Sequence, residues 1–543
     1  MTGEQEYDVV IIGAGFTGLY AIHKIRQLGL RLRCLEAGDG VGGTWYWNRY
    51  PGARVDIESM QYSYSFDDGL QQDWKWPEYF SPQADLEAYA NHVTDRFGLR
   101  EHIEFGTRVN RMRFDETGNR WHIGAENGRQ VTAKYVVAAC GSLDAVNVPS
   151  FPGLESFRGD WYHTAEWPRE GVKFEGKRVA LIGTGSTGIQ ATPVIAATAE
   201  HLHVFQRTPA YSLPASNRPT DPAYEQAWKS NYHDRRSLMF GNFAASYMEN
   251  EQYRSVFDYE PEERTRILEE AWSARNGLLF MRTFSDIGAN LEANTIVAEF
   301  VRDKIRSIVR DPAVAEMLCP RTYPIGAKRI CMDTGYFETF NRENVTLVDV
   351  RADPIAEITP TGLRTTKDSY DLDVIVFATG FDAVTGSLTR MNVTGLNGLD
   401  LRDKWRDGPT TFLGFMVAGF PNLFMIHGPG SPGVLAQMIT AGEWQVDFVA
   451  RMITDLEAVG RQRIDTTPQW EQRWDLEVQE AAGRTLYQKA DSWYMGANIP
   501  GKPRVFMIYI GGFDRYKQRC VEQADNDYEG FVFDSPSAPV GSR

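Results

Sequence analysis

Short apolar runs alternate along this chain with glycine-rich turns and amphipathic stretches. Tyr7-Asp8-Val9-Val10-Ile11-Ile12 is a run of the kind given by a strand buried on both faces. The pattern then predicts a helix over residues 19–28, stopped at Gly29, and a second strand at Leu32-Arg33-Cys34-Leu35. A helix around residues 86–97, short alternating strands within 103–125 and a returning buried strand at 135–139 follow. Pro149, Pro152 and Gly153 mark a boundary. Beyond it the plan repeats, with strands at 178–182 and 203–208 around a glycine turn and a helix, and a closing buried strand at 373–378. Residues 221–311 carry no strand signal and read as helices. There Val297, Phe300, Val301, Ile305, Ile308 and Val309 recur at helical spacing and make one apolar face, read as packing on its own domain. The C-terminal third offers a strand at 420–426 running into a Gly/Pro loop, then a helix over about 435–456.

The turns carry the candidate chemistry. Gly13-Ala14-Gly15-Phe16-Thr17-Gly18 lies between a strand and a helix, and Glu36 ends the next strand. In such a unit the first Gly permits the turn, the second lets a pyrophosphate approach, and the third seats the helix. The helix N-terminus faces the phosphates, and an acid about 20 residues on holds a ribose. Gly183-Thr184-Gly185-Ser186-Thr187-Gly188 repeats the fingerprint, but Arg207, followed by Thr208, stands where Glu36 stood. A guanidinium pairs with a 2′-phosphate that a carboxylate would repel, so the second nucleotide is expected to be NADP(H). A plain surface arginine is the alternative. Gly42-Gly43-Thr44-Trp45-Tyr46-Trp47-Asn48-Arg49-Tyr50-Pro51-Gly52-Ala53-Arg54-Val55-Asp56 combines a Gly-Gly pair, four aromatics and a Pro-Gly turn. It suits a loop lying against a flat ring such as flavin, and aromatic core packing remains open. The stretch from Phe157 to Pro168 is too irregular for a helix face or an alternating strand. It is expected at a junction between the two units. Gly326-Ala327-Lys328-Arg329 sets two cations side by side in a loop.

These elements predict an α/β protein of two Rossmann-like dinucleotide-binding domains. Residues 1–147 and 382–543 form the first, residues 148–220 and 325–381 the second, and residues 221–324 a helical insertion in the second. From Asp534 the chain is Ser/Pro/Gly-rich and expected to be disordered.

Composition narrows the class. A length of 543 residues, 42% hydrophobic content and 24% charge describe an ordinary soluble protein of two or three domains. A net charge of −15 argues against a nucleic-acid partner, and no apolar run approaches a membrane span. The N-terminus is polar and reads into a strand, not a secretory signal. Five cysteines, an odd number without Cys-x-x-Cys spacing, fit reduced thiols in a cytoplasm. They also exclude a disulfide-reductase chemistry. No metal site and no obligatory protein partner are expected.

The set of motifs resembles the Baeyer–Villiger monooxygenases, of the phenylacetone- and cyclohexanone-monooxygenase-like kind. Phe157, Gly159, His163, Trp167 and Pro168 match the family signature Phe-x-Gly-x-x-x-His-x-x-x-Trp-Pro. Gly43, Trp45, Tyr50, Pro51, Gly52 and Asp56 match a second pattern, and the likeness runs over nearly the whole chain. The resemblance implies FAD in the first domain and NADPH in the second. It also implies insertion of oxygen beside a ketone carbonyl, through a C4a-peroxyflavin and a tetrahedral adduct, to give an ester or lactone. Sulfoxidation is the implied side activity, and a heteroatom-hydroxylating flavoenzyme and a flavin-binding redox sensor are the rivals. Arg329 matches the catalytic cation and Asp56 the carboxylate that orients it. Lys328 would join Arg207 on the 2′-phosphate, and Trp493 would hold the bound nicotinamide nucleotide. Thr17, Glu36, Thr44 to Trp47, Arg54, Asp56, Tyr62, Val109 and Met438 are implied around FAD. Ile57, Leu143, Gly433, Val434 and Leu435 are implied around the ketone, although Gly433 and Val434 depart from the phenylacetone branch. His163 is assigned a conformational role.

Overall fold

The computed structural model describes residues 5–247, 254–273 and 280–534. Val9, Val10 and Ile11 are fully buried, because the Gln5–Ile12 strand is flanked on both edges and covered on both faces. It pairs in parallel with Leu32–Leu35 on one side and with Gln130–Ala138 on the other. At its end the chain turns through Gly13, φ 97°, where a Cβ would lie 2.9 Å from the Ala139 carbonyl oxygen. Helix α1 (Phe16–Ile25) follows, and a 3₁₀ turn ends it at Gly29, φ 74°.

The first sheet runs Val393–Thr394, Val109–Asp115, Arg120–Ala125, Gln130–Ala138, Gln5–Ile12, Leu32–Leu35, Ile103–Glu104. Arg120–Ala125 pairs only with the first part of Gln130–Ala138, so Leu423–Met425 pairs in parallel with its remainder at Val136 to Ala138. The sheet thus draws strands from both ends of the chain. A single helical turn, α2, spans Thr44–Trp47.

The second sheet is wholly parallel, in the order Val345–Asp349, His201–Gln206, Arg178–Ile182, Val374–Phe377, Asp160–His163. Its second fingerprint leads into α3 (Ser186–Thr198). Part of the 157–168 stretch is therefore a strand, which its irregular pattern had concealed. Asp160–His163 sits at a sheet edge with Trp161 exposed, so no alternation of buried and polar positions is required of it.

The helices described within 221–324 pack on different cores. Trp228 in α4 (Pro222–Lys229) and Tyr232 and Met239 in α5 (Tyr232–Gly241) join the core of the first unit. Leu268 in α6 (Pro261–Ser273) and Val297, Val301 and Ile305 in α7 (Leu291–Ile308) join that of the second. Periodicity gives each helix an apolar face without saying which sheet will cover it. Arg236 fixes α5 to the first unit, donating from inside the protein to Ser63 Oγ (2.7 Å), Gln71 Oε1 (3.0 Å) and the Gln61 carbonyl (3.1 Å). The predicted C-terminal helix is α8 (Met438–Ala458), capped by Gln437 Oε1, which accepts from Thr440 N at 2.6 Å. The expected disordered end lies, beyond Asp534, outside the described residues.

Two of the passages between the units lie side by side. Val146 and Phe381 form an antiparallel bridge, Asn147 N donates to the Gly380 carbonyl (3.0 Å), and Asp382 N donates to the Ala145 carbonyl (2.8 Å). Among the described residues no helix is long and apolar enough to cross a membrane.

Candidate functional site

Each fingerprint folds as its glycines require. A Cβ on Gly18 would lie 1.9 Å from the Gly13 carbonyl oxygen, and one on Gly43 would lie 2.8 Å from the Gly15 Cα. The Gly13–Gly15 and Gly42–Gly43 turns therefore touch backbone to backbone, joined by Gly42 N donating to the Ala14 carbonyl (3.0 Å). Glu36 braces this pair of turns from inside. Its carboxylate accepts from Ala14 N (2.6 Å) and Gly38 N (2.7 Å). Burial pushes its pKa up, and the two backbone bonds pull against that shift. Thr17 lies in the first turn of α1, and Val109 is buried in the cluster that also holds Ile12 and Leu35.

The aromatic loop is partly core and partly wall. Trp45 and Tyr46 are buried, while Thr44 is exposed and Trp47 half-buried. Trp45 Nε1 donates to the Tyr62 hydroxyl at 3.1 Å, and burial raises the Tyr62 pKa to about 12. The Tyr46 hydroxyl donates to the Asp39 carboxylate. Arg169, just past Trp167-Pro168, reaches over from the second unit to the same pair. Its guanidinium lies 4.7 Å from the Tyr46 ring centre and 2.5 Å from Asp39.

The Tyr50-Pro51-Gly52 turn docks on the second unit. Tyr50 donates to Gln190 Oε1 (2.8 Å) and Gln190 Nε2 donates to the Arg54 carbonyl (3.1 Å). Gly52 has φ 83°, and a Cβ there would lie 2.3 Å from the Gln190 carbonyl oxygen. The Arg54 guanidinium turns to Glu78 (3.1 Å) and the Phe80 carbonyl, so its side chain is spent inside the protein. This docked turn aims Asp56 at Arg329. The pair is bidentate, Nε to Oδ2 and Nη2 to Oδ1, both 2.7 Å. Nη1 donates to the Val434 carbonyl at 3.2 Å. The Asp56 charge is the largest influence on the guanidinium and raises its pKa still further above the ordinary arginine range. Both side chains stay partly open, 33% and 22% exposed, so the fixed positive charge can be reached from solvent. Tyr487 and Tyr494 lie within the field of Arg329, and Trp493 packs on Tyr494 with ring centres 4.3 Å apart. Ile57, Leu143, Val434 and Leu435 are half-buried against the first core, while Gly433 is buried.

In the second unit, a Cβ on Gly183 would meet the Ala378 carbonyl oxygen at 2.4 Å, and one on Gly188 the Gly183 carbonyl oxygen at 2.1 Å. Gly185 is exposed, Ser186 Oγ lies 3.2 Å from Cys331 Sγ, and the Thr187 hydroxyl bonds Tyr50. Thr184 Oγ1 donates to the Thr208 carbonyl (3.0 Å), fixing the loop that carries Arg207. Arg207 is exposed and has no hydrogen bond or ion pair among the described residues. Burial, then the Arg207 charge, pushes the Lys328 pKa below its ordinary value, with Arg351 adding to the shift. Arg351 donates to Thr208 Oγ1 at 3.1 Å. Three cations thus gather at the edge of one nucleotide unit.

His163 lies on the double crossing. Ala165 N donates to Nδ1 (3.1 Å), which leaves the ring proton on Nε2, 3.2 Å from Thr379 Oγ1. Thr379 in turn donates to the Asn147 carbonyl at 2.7 Å. Burial lowers the His163 pKa to about 4, so the ring is neutral. Phe157 packs on one hydrophobic cluster of the second unit and Trp167 is buried in another, with Pro168 turning the chain toward Arg169. Arg169, Gln190, Arg351 and Tyr487 are the contributors that sequence reasoning missed.

Residues 6–253 match the flavin-binding monooxygenase-like family. With the paired glycine turns and the two sheets, this match defines a flavoprotein monooxygenase. A Baeyer–Villiger monooxygenase of Pseudooceanicola batsensis is 41% identical over 538 residues, 98% of either chain. A solved structure of oxidised steroid monooxygenase bound to NADP is 47% identical with a TM-score of 0.92, over 97% of this chain and 99% of its own. Cyclohexanone monooxygenase from Rhodococcus sp. Phi1, bound to NADP+, is 41% identical with a TM-score of 0.95, over 98% of this chain and 100% of its own. The chain belongs to the Baeyer–Villiger monooxygenases.

Proposed function

We propose that this chain binds FAD in its first unit and NADPH in its second, and uses O2 to convert a ketone into an ester or lactone. The turns fit the two nucleotides. In both units the glycines leave backbone close to backbone where any Cβ would intrude, and a helix N-terminus opens above. Glu36 keeps lone pairs free for a ribose after bracing its loop, and Arg207 and Lys328 present charge for a 2′-phosphate. Bound FAD, reduced by NADPH, would supply the two electrons with which O2 gives one oxygen atom to the ketone and the other to water.

The observation that carries the reading is the Asp56–Arg329 pair, a preorganised and partly exposed cation that joins the two units. Negative charge on oxygen must be stabilised during attack on the carbonyl and until the migrating bond has moved. A permanently protonated guanidinium supplies that stabilisation without reorganising. Asp56 fixes its plane and the Val434 carbonyl its third corner. Ile57, Leu143, Gly433, Val434 and Leu435 line the ketone side, Trp493 holds the nicotinamide nucleotide, and Met438 and Tyr62 border the flavin. His163 acts on the crossings and not on the substrate, since both ring nitrogens are engaged there. A sulfide reaching the same oxygen would be oxidised as a side reaction.

The test uses purified holoprotein. It should be yellow, its NADPH consumption should rise on adding a ketone, and an ester should appear in step. Ketone-independent NADPH consumption without ester, across small, aromatic, large-ring and steroid ketones, would overturn the reading.

A further inference from the structure

None of the chemistry above uses His427. The Leu423–Met425 strand ends with Ile426 N donating to the Ala138 carbonyl (3.0 Å), and the backbone then turns at His427 with φ 57°. That left-handed conformation is uncommon outside glycine, though histidine tolerates it better than most residues. His427 N donates to Gln445 Oε1 of α8 at 2.8 Å, which locks the turn and sends the ring inward. The residue is 6% exposed, and neither Nδ1 nor Nε2 has a hydrogen-bond partner among the described residues. Buried polar groups are rarely left in this state without a reason.

The surroundings give the reason. A Cβ placed on Gly442 would lie 3.0 Å from His427 Nε2 and 2.9 Å from Thr17 Oγ1, so both polar atoms converge on one point. Thr17 belongs to the first turn of α1 and Gly442 to the start of α8. The imidazole therefore stands where two helix N-termini of the first unit meet, and both ends favour anionic oxygen. Thr440 Oγ1, near the start of α8, is also buried without a partner. Burial lowers the His427 pKa to about 4 against the opposing pull of the Met438 backbone at the start of α8, so the ring is neutral, with one donating and one accepting nitrogen.

We propose that His427 is a flavin-nucleotide-binding residue. With Thr17 it holds the ribityl–phosphate chain of FAD, one ring N–H donating to an oxygen of that chain. The proposal rests on the first unit being the FAD site. It adds a contact contributed by the C-terminal third of the chain, beyond the glycine fingerprint.

The experiment compares parent holoenzyme with His427→Leu, which has similar bulk and no nitrogen, and His427→Gln, which restores a donor. Release of FAD on serial dilution is read from the fluorescence of the free flavin. Unfolding is followed by tryptophan fluorescence at trace FAD and at large excess. His427→Leu should release FAD at least about ten-fold more readily, a loss of about 1.4 kcal/mol. Its unfolding midpoint should fall at trace FAD and return to the parent value in excess, as mass action requires. His427→Gln should lie between the two. A Leu variant that retains FAD as the parent does would overturn the proposal, leaving the ring with a buried water only. A midpoint that stays low in excess FAD without rescue by Gln would reduce His427 to a structural role. A colourless parent would instead overturn the FAD reading beneath it.

Discussion

The two nucleotide units begin alike and end differently. Each has a buried parallel strand, a glycine turn in which Cβ atoms would collide with backbone, and a helix pointing its N-terminus at the ligand side. At the end of the next strand the first unit carries Glu36, buried and accepting from Ala14 N and Gly38 N. The second carries Arg207, exposed and without a partner among the described residues. The first group is thus built into the loop it braces, while the second, on the proposed reading, is left free for a ligand. One position in a shared plan can brace the fold or stay in reserve, and the burial of its side chain decides which.

The comparison can be tested hardest where the units meet. Arg329→Ala should cut ester formation by about 10²–10³ or more, while flavin reduction by NADPH persists and hydrogen peroxide takes up the electrons. Stopped-flow reduction and product analysis measure both halves. Lys should rescue little, because it lacks the fork that Asp56 grips. Next in size, Arg207→Ala should raise the KM for NADPH by about 10–100-fold, if the charged contact is worth about 1.5–3 kcal/mol. The KM for NADH and the melting temperature should hardly move, and Arg351→Ala should act in the same direction with a smaller effect. Glu36→Gln should do the opposite. With one backbone N–H left without an acceptor, it should lose about 1–3 kcal/mol of stability, seen as a melting temperature lower by several degrees together with looser FAD. A stable Glu36→Gln, or an unstable Arg207→Ala, would break the contrast. The smallest effect concerns acid. His163 has a folded pKa of about 4 against an ordinary 6.5, so the unfolded chain takes up its proton first as pH falls. Its contribution to stability is complete above 6.5 and lost between 6.5 and 4. The fall in melting temperature across that window should be shallower in His163→Gln, with His23, His203 and His427 keeping the remainder.

Much of this was legible because local rules dominate it. The glycine turns, the strands flanking them and the absence of an acid at residue 207 are each decided within a few residues. Other features depend on partners far away in the chain. Nothing near Arg169 announces Tyr46, and nothing near Tyr50 announces Gln190. The Asp160–His163 strand escaped notice because an edge strand need not alternate. The helical stretch seemed one insertion because an apolar stripe does not name the sheet that covers it. Arg329 and Asp56 were reached through motif likeness alone. Their separation along the chain gives no physical hint of the 2.7 Å fork they form.

Arg329 is anchored at its third corner by the main chain of residue 434. A carbonyl oxygen is indifferent to the side chain beside it. Substitution at 434 alters the wall of the site while leaving the guanidinium tethered. On the proposed reading, evolution or a protein engineer can therefore reshape admission to the site without disturbing the charge that would act on whatever is admitted. Substrate range and reaction type become separately heritable traits of one loop.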